Sequence, residues 1–200
     1  MLRTHPKPET VFVKDVADDV KEWLVRIARH DDHRAFRLLF ELFYPELIRF
    51  ALFYVKVRET AEEIVQDVFL KIWQIRATIL VILNFRAYLF SATRNHCLNY
   101  LQRKGNPAFT SVDGTAVADT VGTDDNPQQA LELVDMQRTI QAAVDALPPQ
   151  CHLIFQLVKE QGFSYREVAD LLAISPRTVE TQISIALRKI AAALGPLLES

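Results

Sequence analysis

Glycine is scarce in this chain, five in 200 residues, and cysteine scarcer still at two. So few glycines, set against dominant helical periodicity, predict an all-α fold. Cys97 and Cys151 are too few for a metal site and have no CxxC spacing or nearby His/Cys grouping to support one. Their neighbours His96 and His152 read with them as packing or surface residues. No apolar run approaches the ~20 residues of a membrane span; ILVIL at 79–83 is far too short. With nothing resembling a signal peptide, no direct membrane insertion is expected, and the expected location is cytoplasmic. Enzyme signatures are also missing. There is no G-x-x-x-x-G-K-[ST], H-E-x-x-H or G-x-S-x-G, and the carboxylates scatter over helical surfaces, so no catalytic residue and no cofactor or metal is expected.

Net charge is small, −2, but unevenly laid out. Residues 34–104 carry eleven bases against six acids, while 105–129 hold four aspartates and no base. Half of the residues are hydrophobic and twelve are Phe, enough for a real core. The expected organisation is two small helical domains joined by a flexible acidic linker. A loose extension at 1–15 precedes a helical domain at 16–105, a linker at 106–129, and a second domain at 130–200.

The C-terminal domain carries the sharpest pattern. Ser164 and Glu167 form an S-x-x-E capping box ahead of Val168, Ala169, Leu171 and Leu172. Three residues on, Ser175-Pro176 opens a second helix, with proline where its missing N–H costs nothing. Val179, Ile183, Leu187 and Ile190 then form an expected apolar face, and Arg177, Thr181, Ser184 and Arg188 lie opposite. This is a helix-turn-helix suited to the major groove. Upstream helices are expected from Ala130 through Leu133 and Val134 to Leu147, and again after Pro148-Pro149.

In the first half, a helix is expected from Val16 or Asp18, with Val20, Trp23, Leu24, Ile27 and Ala28 on one side. HDDH at 30–33 reads as a turn with a capping aspartate. The next helix, 35–55, is expected to bend or break at Pro45. In AEEIVQDVFLKIW, the residues Ala61, Ile64, Val65, Val68, Phe69 and Ile72 share a face, and Leu70 falls opposite beside Trp73. An exposed aliphatic next to a tryptophan suggests a protein-binding patch. ILVIL reads as a packed strand-like run or loop. Asn84 then caps a helix that holds no acid from Phe85 to Lys104, while Arg86, Arg94, Arg103 and Lys104 mix with Phe85, Tyr88, Phe90 and Tyr100. Bases neutralise phosphate and aromatics stack on unpaired nucleobases, so the segment points to opened nucleic acid. Leu89 and Phe90 are expected in the core.

The ordered motifs AFRLLFELFYPELIRFA, AEEIVQDVFLKIW, FRAYLFSATRNHCLNYL, LPPQCHLIFQL and GFSYREVADLLAISPRTVETQISIALRKI, from about Ala35 to Leu194, resemble the extracytoplasmic-function (ECF) sigma factors of the sigma-70 family. The resemblance implies a non-enzymatic subunit that binds core RNA polymerase and directs promoter recognition, DNA melting and transcription initiation. Its partners would be the β′ clamp and β flap of core polymerase, and promoter DNA, duplex at −35 and melted at −10. Many relatives also pair with a membrane anti-sigma factor. Matched by position, Asp67, Leu70 and Trp73 correspond to the core-polymerase-binding helix. Asn84, Phe85, Arg86, Tyr88 and Arg94 correspond to the melting segment, with Asn95, Asn99 and Arg103 in the adjoining −10-reading helix. Arg177, Thr178, Glu180, Thr181, Gln182, Ser184 and Arg188 correspond to the −35-reading helix. Ile185 stands where many relatives carry a basic residue, which leaves that helix weakly basic. The acidic linker fits the family as a mimic of nucleic acid.

The rival reading is a two-domain helix-turn-helix transcriptional regulator that does not bind core polymerase. It requires a sensor or dimerisation domain, and the N-terminal half shows no ligand-like motif.

Overall fold

The computed structural model describes residues 9–104 and 138–198, with side chains from 18 to 104 and from 138 to 195. Every regular element among them is helical, and the chain divides into two compact units, Met1–Tyr100 and Leu101–Ser200. The expected linker at 106–129, with Leu133 and Val134 beyond it, lies outside the described residues.

In the first unit, α1 spans Glu9–His30 and so begins before the expected Val16. Leu24 and Ile27 are buried. Asp31 takes a left-handed φ of 50°, and Asp32 caps α2, His33–Val55, accepting from the Arg34 and Ala35 N–H groups at 2.8 and 3.1 Å.

Helix α2 does not break at Pro45. Pro45 and Glu41, whose carbonyl loses its partner there, both lie on the exposed side. Buried Leu39, Phe43, Leu47, Ile48, Phe50 and Ala51 pin the two halves to one core. Lys56, left-handed at φ 58°, ends the helix and turns the chain into α3, Arg58–Gln74. All six apolar residues expected on the inner face of α3 are buried.

The ILVIL stretch is not a strand: residues 79–81 are helical, and Ile82 and Leu83 are loop. Arg76–Val81 form a 3-10 helix that packs on α1 through buried Ile79 and leaves Leu80, Val81 and Leu83 exposed. In a 3-10 helix side chains eclipse every third residue, so a short run buries one narrow edge and turns the rest outward. Asn84 Oδ1 then accepts from the Ala87 N–H at 3.0 Å and caps α4, Phe85–Arg103. Phe90 meets Phe50 edge-on at 5.1 Å, and Phe85 meets Phe43 at 6.1 Å. Such pairs add about 0.5–1.5 kcal/mol each beyond burial.

In the second unit, α5 covers 138–145, α6 Pro149–Phe155 with a π-helical turn at Gln156–Glu160, α7 Tyr165–Leu172 and α8 Pro176–Leu198. Gly162, at φ 68°, supplies the left-handed residue between the π turn and α7. The expected capping box forms in full. Ser164 Oγ accepts from the Glu167 N–H at 3.3 Å, and Glu167 Oε2 accepts from the Ser164 N–H at 2.8 Å. Ala173 closes α7 in the left-handed region, and Ser175 Oγ accepts from the Thr178 N–H at 3.0 Å to start α8. The three-residue turn of a helix-turn-helix is therefore in place.

One expected core position moves. Leu187 is 47 % exposed, and Ala186 is fully buried in its stead. At 3.6 residues per turn, each step of four drifts by about 40°, so the step from Val179 through Ile183 to Leu187 swings off the face. Ala186, three residues after Ile183, swings back. Ile185 packs beside Val144, Leu147, Cys151, Ala186 and Ile190.

Candidate functional site

Helix α3 buries one face so completely that what remains on the other is displayed. Asp67 is exposed and Leu70 is 56 % exposed, an unusual placement for a leucine in the middle of a charged helix. Trp73 is different: it is half-buried against the start of α2. Its ring stacks on His33 at 4.5 Å and meets Phe36 edge-on at 5.0 Å. The Arg76 guanidinium lies 4.7 Å from the same ring and donates to the Trp73 carbonyl at 3.0 Å. Arg76 also pairs with Asp31 of the α1–α2 turn. A side chain held from this many directions has little rotamer freedom left to lose on binding. Helical periodicity alone does not mark His33, Phe36 or Arg76 as partners of Trp73. Only the three-residue step from Trp73 to Arg76 hinted at the cation–π contact.

Helix α4 separates the residues matched to the melting and −10 segments into two groups. Tyr88, Asn95, Asn99 and Arg103 follow at steps of seven, four and four, which puts them along one side. Asn95, Asn99 and Arg103 are exposed and Tyr88 half-exposed. Phe85 is buried, so its ring is engaged with Phe43. Arg86 falls on the stripe of Phe90, Thr93 and Cys97, and pairs with Glu46 of α2, Nη2 to Oε2 at 3.4 Å. Arg94 reaches the Tyr54 hydroxyl. Burial pushes that phenol up to about 12, and the nearby guanidinium offsets part of the rise. Asn84 is occupied in capping. The solvent side of α4 thus offers amides, a phenol and a terminal guanidinium, and no carboxylate.

On α8 the residues Arg177, Thr181, Ser184 and Arg188, at steps of four, three and four, are all exposed. Arg177 pairs with Glu180 at 2.9 Å, an exposed i,i+3 contact worth only about 0.2–1 kcal/mol and easily opened by a ligand. The Thr181 and Ser184 hydroxyls donate to the carbonyls four residues back, each at 2.9 Å. With the proton committed, each oxygen faces outward as an acceptor, suited to the amino group of adenine or cytosine. Thr178 and Gln182 are half-buried at the edges, and the Gln182 carbonyl accepts the Cys151 thiol at 3.3 Å. Among the described residues no helix is long and apolar enough to cross a membrane.

Two family models match in chain order: Sigma-70 region 2 over residues 39–106 and Sigma-70, region 4 over 137–190. The chain is 23 % identical over 181 residues to the RNA polymerase sigma-H factor of Pseudomonas aeruginosa, covering 88 % of this chain and 94 % of that one. It is 25 % identical over 145 residues to the RNA polymerase sigma factor YlaC of Bacillus subtilis, covering 72 % and 83 %. In fold it resembles CnrH, solved with the cytosolic domain of CnrY, at a TM-score of 0.51 and 23 % identity over 90 % of this chain and 99 % of that one. It also resembles the sigma factor RpoE of Bartonella quintana, solved with the anti-sigma factor NepR, at a TM-score of 0.51 and 21 % identity over 80 % and 96 %. Region 2 falls on the unit bearing the α3 and α4 surfaces, and region 4 on the unit bearing α8. The chain belongs to the sigma-70 family of RNA polymerase sigma factors.

Proposed function

We propose that this sigma factor works in the cytoplasm as a non-catalytic initiation subunit, with its three exposed helical faces divided among three tasks. Asp67 and Leu70 on α3, with Trp73 braced behind them, meet the β′ clamp of core polymerase. Tyr88, Asn95, Asn99 and Arg103 on α4, with Arg94 alongside, meet the −10 element as it opens. Arg177, Thr178, Glu180, Thr181, Gln182, Ser184 and Arg188 meet the −35 duplex, and the same C-terminal domain contacts the β flap. Asn84, Phe85 and Arg86 seat the start of α4. The domains are taken as 16–105 and 130–200, with the acidic 106–129 as linker. CnrH and RpoE were each solved with a partner protein, and a membrane anti-sigma factor is proposed here on that likeness.

The observation that carries this reading is the acid-free outer side of α4, where a phenol, two amides and a guanidinium line up on one stripe. Phosphate needs the charge, and an unstacked base needs a ring or an amide edge. A repressor reading the same −35-type site would have no use for that stripe. Holoenzyme reconstituted from core polymerase and this chain is expected to open promoter DNA, detected by permanganate reactivity of thymines. Tyr88→Ala and Arg94→Ala are expected to impair opening on duplex and to recover much of the loss on a pre-formed bubble. Absence of rescue on the bubble would remove strand opening from α4.

A further inference from the structure

The start of α4 is fastened to the middle of α2 at two adjacent points. Phe85 is buried against Phe43, and Arg86 is paired with Glu46, three residues further along α2. Both partners of the ion pair are sheltered, with side chains 34 % and 22 % exposed, so water screens them less than it does the surface pairs. Arg86 shares its stripe with Phe90, Thr93 and Cys97, and that stripe points at the core rather than along Tyr88, Asn95 and Asn99. A guanidinium on the buried side, neutralised by a carboxylate, is poorly placed to meet phosphate. It is well placed to fix the direction in which α4 leaves its cap.

We infer that Glu46 is a positioning residue for strand opening: through Arg86 it sets the aim of α4, and Arg86 does not itself contact DNA. The inference rests on the proposed use of α4 in melting. Two mechanisms give opposite signs. If Glu46 holds α4 in register, removing its charge misaligns Tyr88 and slows opening. If Glu46 instead masks a DNA-binding arginine, removing its charge frees Arg86 and quickens opening.

The test uses holoenzyme made with the full chain, measuring core affinity, closed-complex affinity and the opening rate on duplex and on bubble templates. Glu46→Gln is expected to slow opening on duplex by about three- to fivefold, the loss typical of one partly exposed ion pair. Core affinity, closed-complex affinity and bubble transcription are expected to stay within twofold. The exchanged pair, Glu46→Arg with Arg86→Glu, is expected to restore the opening rate, since the attraction is rebuilt with the charges reversed. Faster opening by Glu46→Gln, or failure of the exchanged pair while its unfolding temperature matches the wild type, overturns the inference. If the exchanged pair unfolds early, the Glu46→Gln rate decides alone, and a rate equal to wild type also overturns it. Holoenzyme that binds core but never opens duplex, even with the wild-type chain, would instead refute the reading of α4 on which this stands.

Discussion

Arg26 reaches across the α1–α2 turn and grips the same carboxylate that caps α2. Its Nε and Nη2 donate to Asp32 Oδ2 at 3.0 and 2.8 Å, while Oδ1 takes the Arg34 and Ala35 amides. The Ala35 amide and then Arg26 hold the Asp32 carboxyl below the ordinary range. Asp32→Asn keeps a capping oxygen and loses the charge, whereas Asp32→Ala loses both. Thermal unfolding is therefore expected to fall in the order wild type, Asn, Ala. Because the folded pKa is lowered, the stabilisation is complete above the unfolded value of about 3.9 and is lost as pH falls through the folded one. Melting curves from pH 6 down to pH 3 should show wild type converging on Asp32→Asn at the acid end. Parallel curves would mean that the charge does nothing.

Leu70 gives a prediction of a different kind. It is more than half exposed on a helix whose other face is closed. Leu70→Asp is expected to leave helicity and unfolding temperature nearly unchanged and to weaken core binding at least about tenfold, ~1.4 kcal/mol. Trp73→Ala should behave otherwise, because its ring is shared with His33, Phe36 and Arg76. Lower stability and weaker binding are expected together. Fluorescence anisotropy with core, beside circular dichroism melts, separates the two; a Leu70→Asp chain that fails to fold would place Leu70 in the core.

What the sequence made legible was whatever depends on neighbours along the chain. The buried face of α3, the Asp32 cap, the Ser164–Glu167 box and the Ser175-Pro176 start all formed as read, since each is set within one or two helical turns. Less legible was what depends on residues far apart in the sequence. Pro45 stays inside α2 because its two flanks share one core, which no local propensity reports. Glu46 and Arg86 are forty residues apart, so periodicity could not pair them. Leu187 lies off the buried face because a step of four residues overshoots one turn. The family resemblance supplied the site residues, but only the packing separates Phe85 and Arg86 from Tyr88, Asn95 and Asn99.

His152 is expected to make the second unit acid-sensitive. Its Nε2 is buried without a hydrogen-bond partner, and burial pushes its pKa down, against smaller upward pulls from Asp145 and Glu160. The unfolded chain then takes up a proton at a higher pH than the folded one. Stability is full above the unfolded value of about 6.5 and declines as pH falls from there through the folded pKa. His152→Gln, which cannot charge, should flatten this decline between pH 7 and pH 5. An unchanged slope in the variant would assign the acid sensitivity to another group.

The outer face of α8, proposed to meet the −35 duplex, gives the sharpest contrast, because α8 offers two apolar positions for an added charge and only one of them is free of the core. Ile185 packs beside Val144, Cys151 and Ala186, so a base placed there has to share that packing. Ile185→Arg must bring a charge to the edge of that cluster and should lower the unfolding temperature of the unit. Leu187 is 47 % exposed and lies one residue before Arg188. Leu187→Arg should leave folding intact, strengthen promoter binding broadly, and steepen its salt dependence by about one counterion. Arg188→Ala should do the reverse, weakening all sites alike. Changes at Glu180 or Thr181 should instead shift which −35 bases are preferred, each correct contact being worth about 1–3 kcal/mol of discrimination. Holoenzyme binding to a randomised −35 library at two salt concentrations reads both effects at once. If Glu180 and Thr181 substitutions scale every site equally and leave the preferred sequence intact, α8 grips the duplex without reading it.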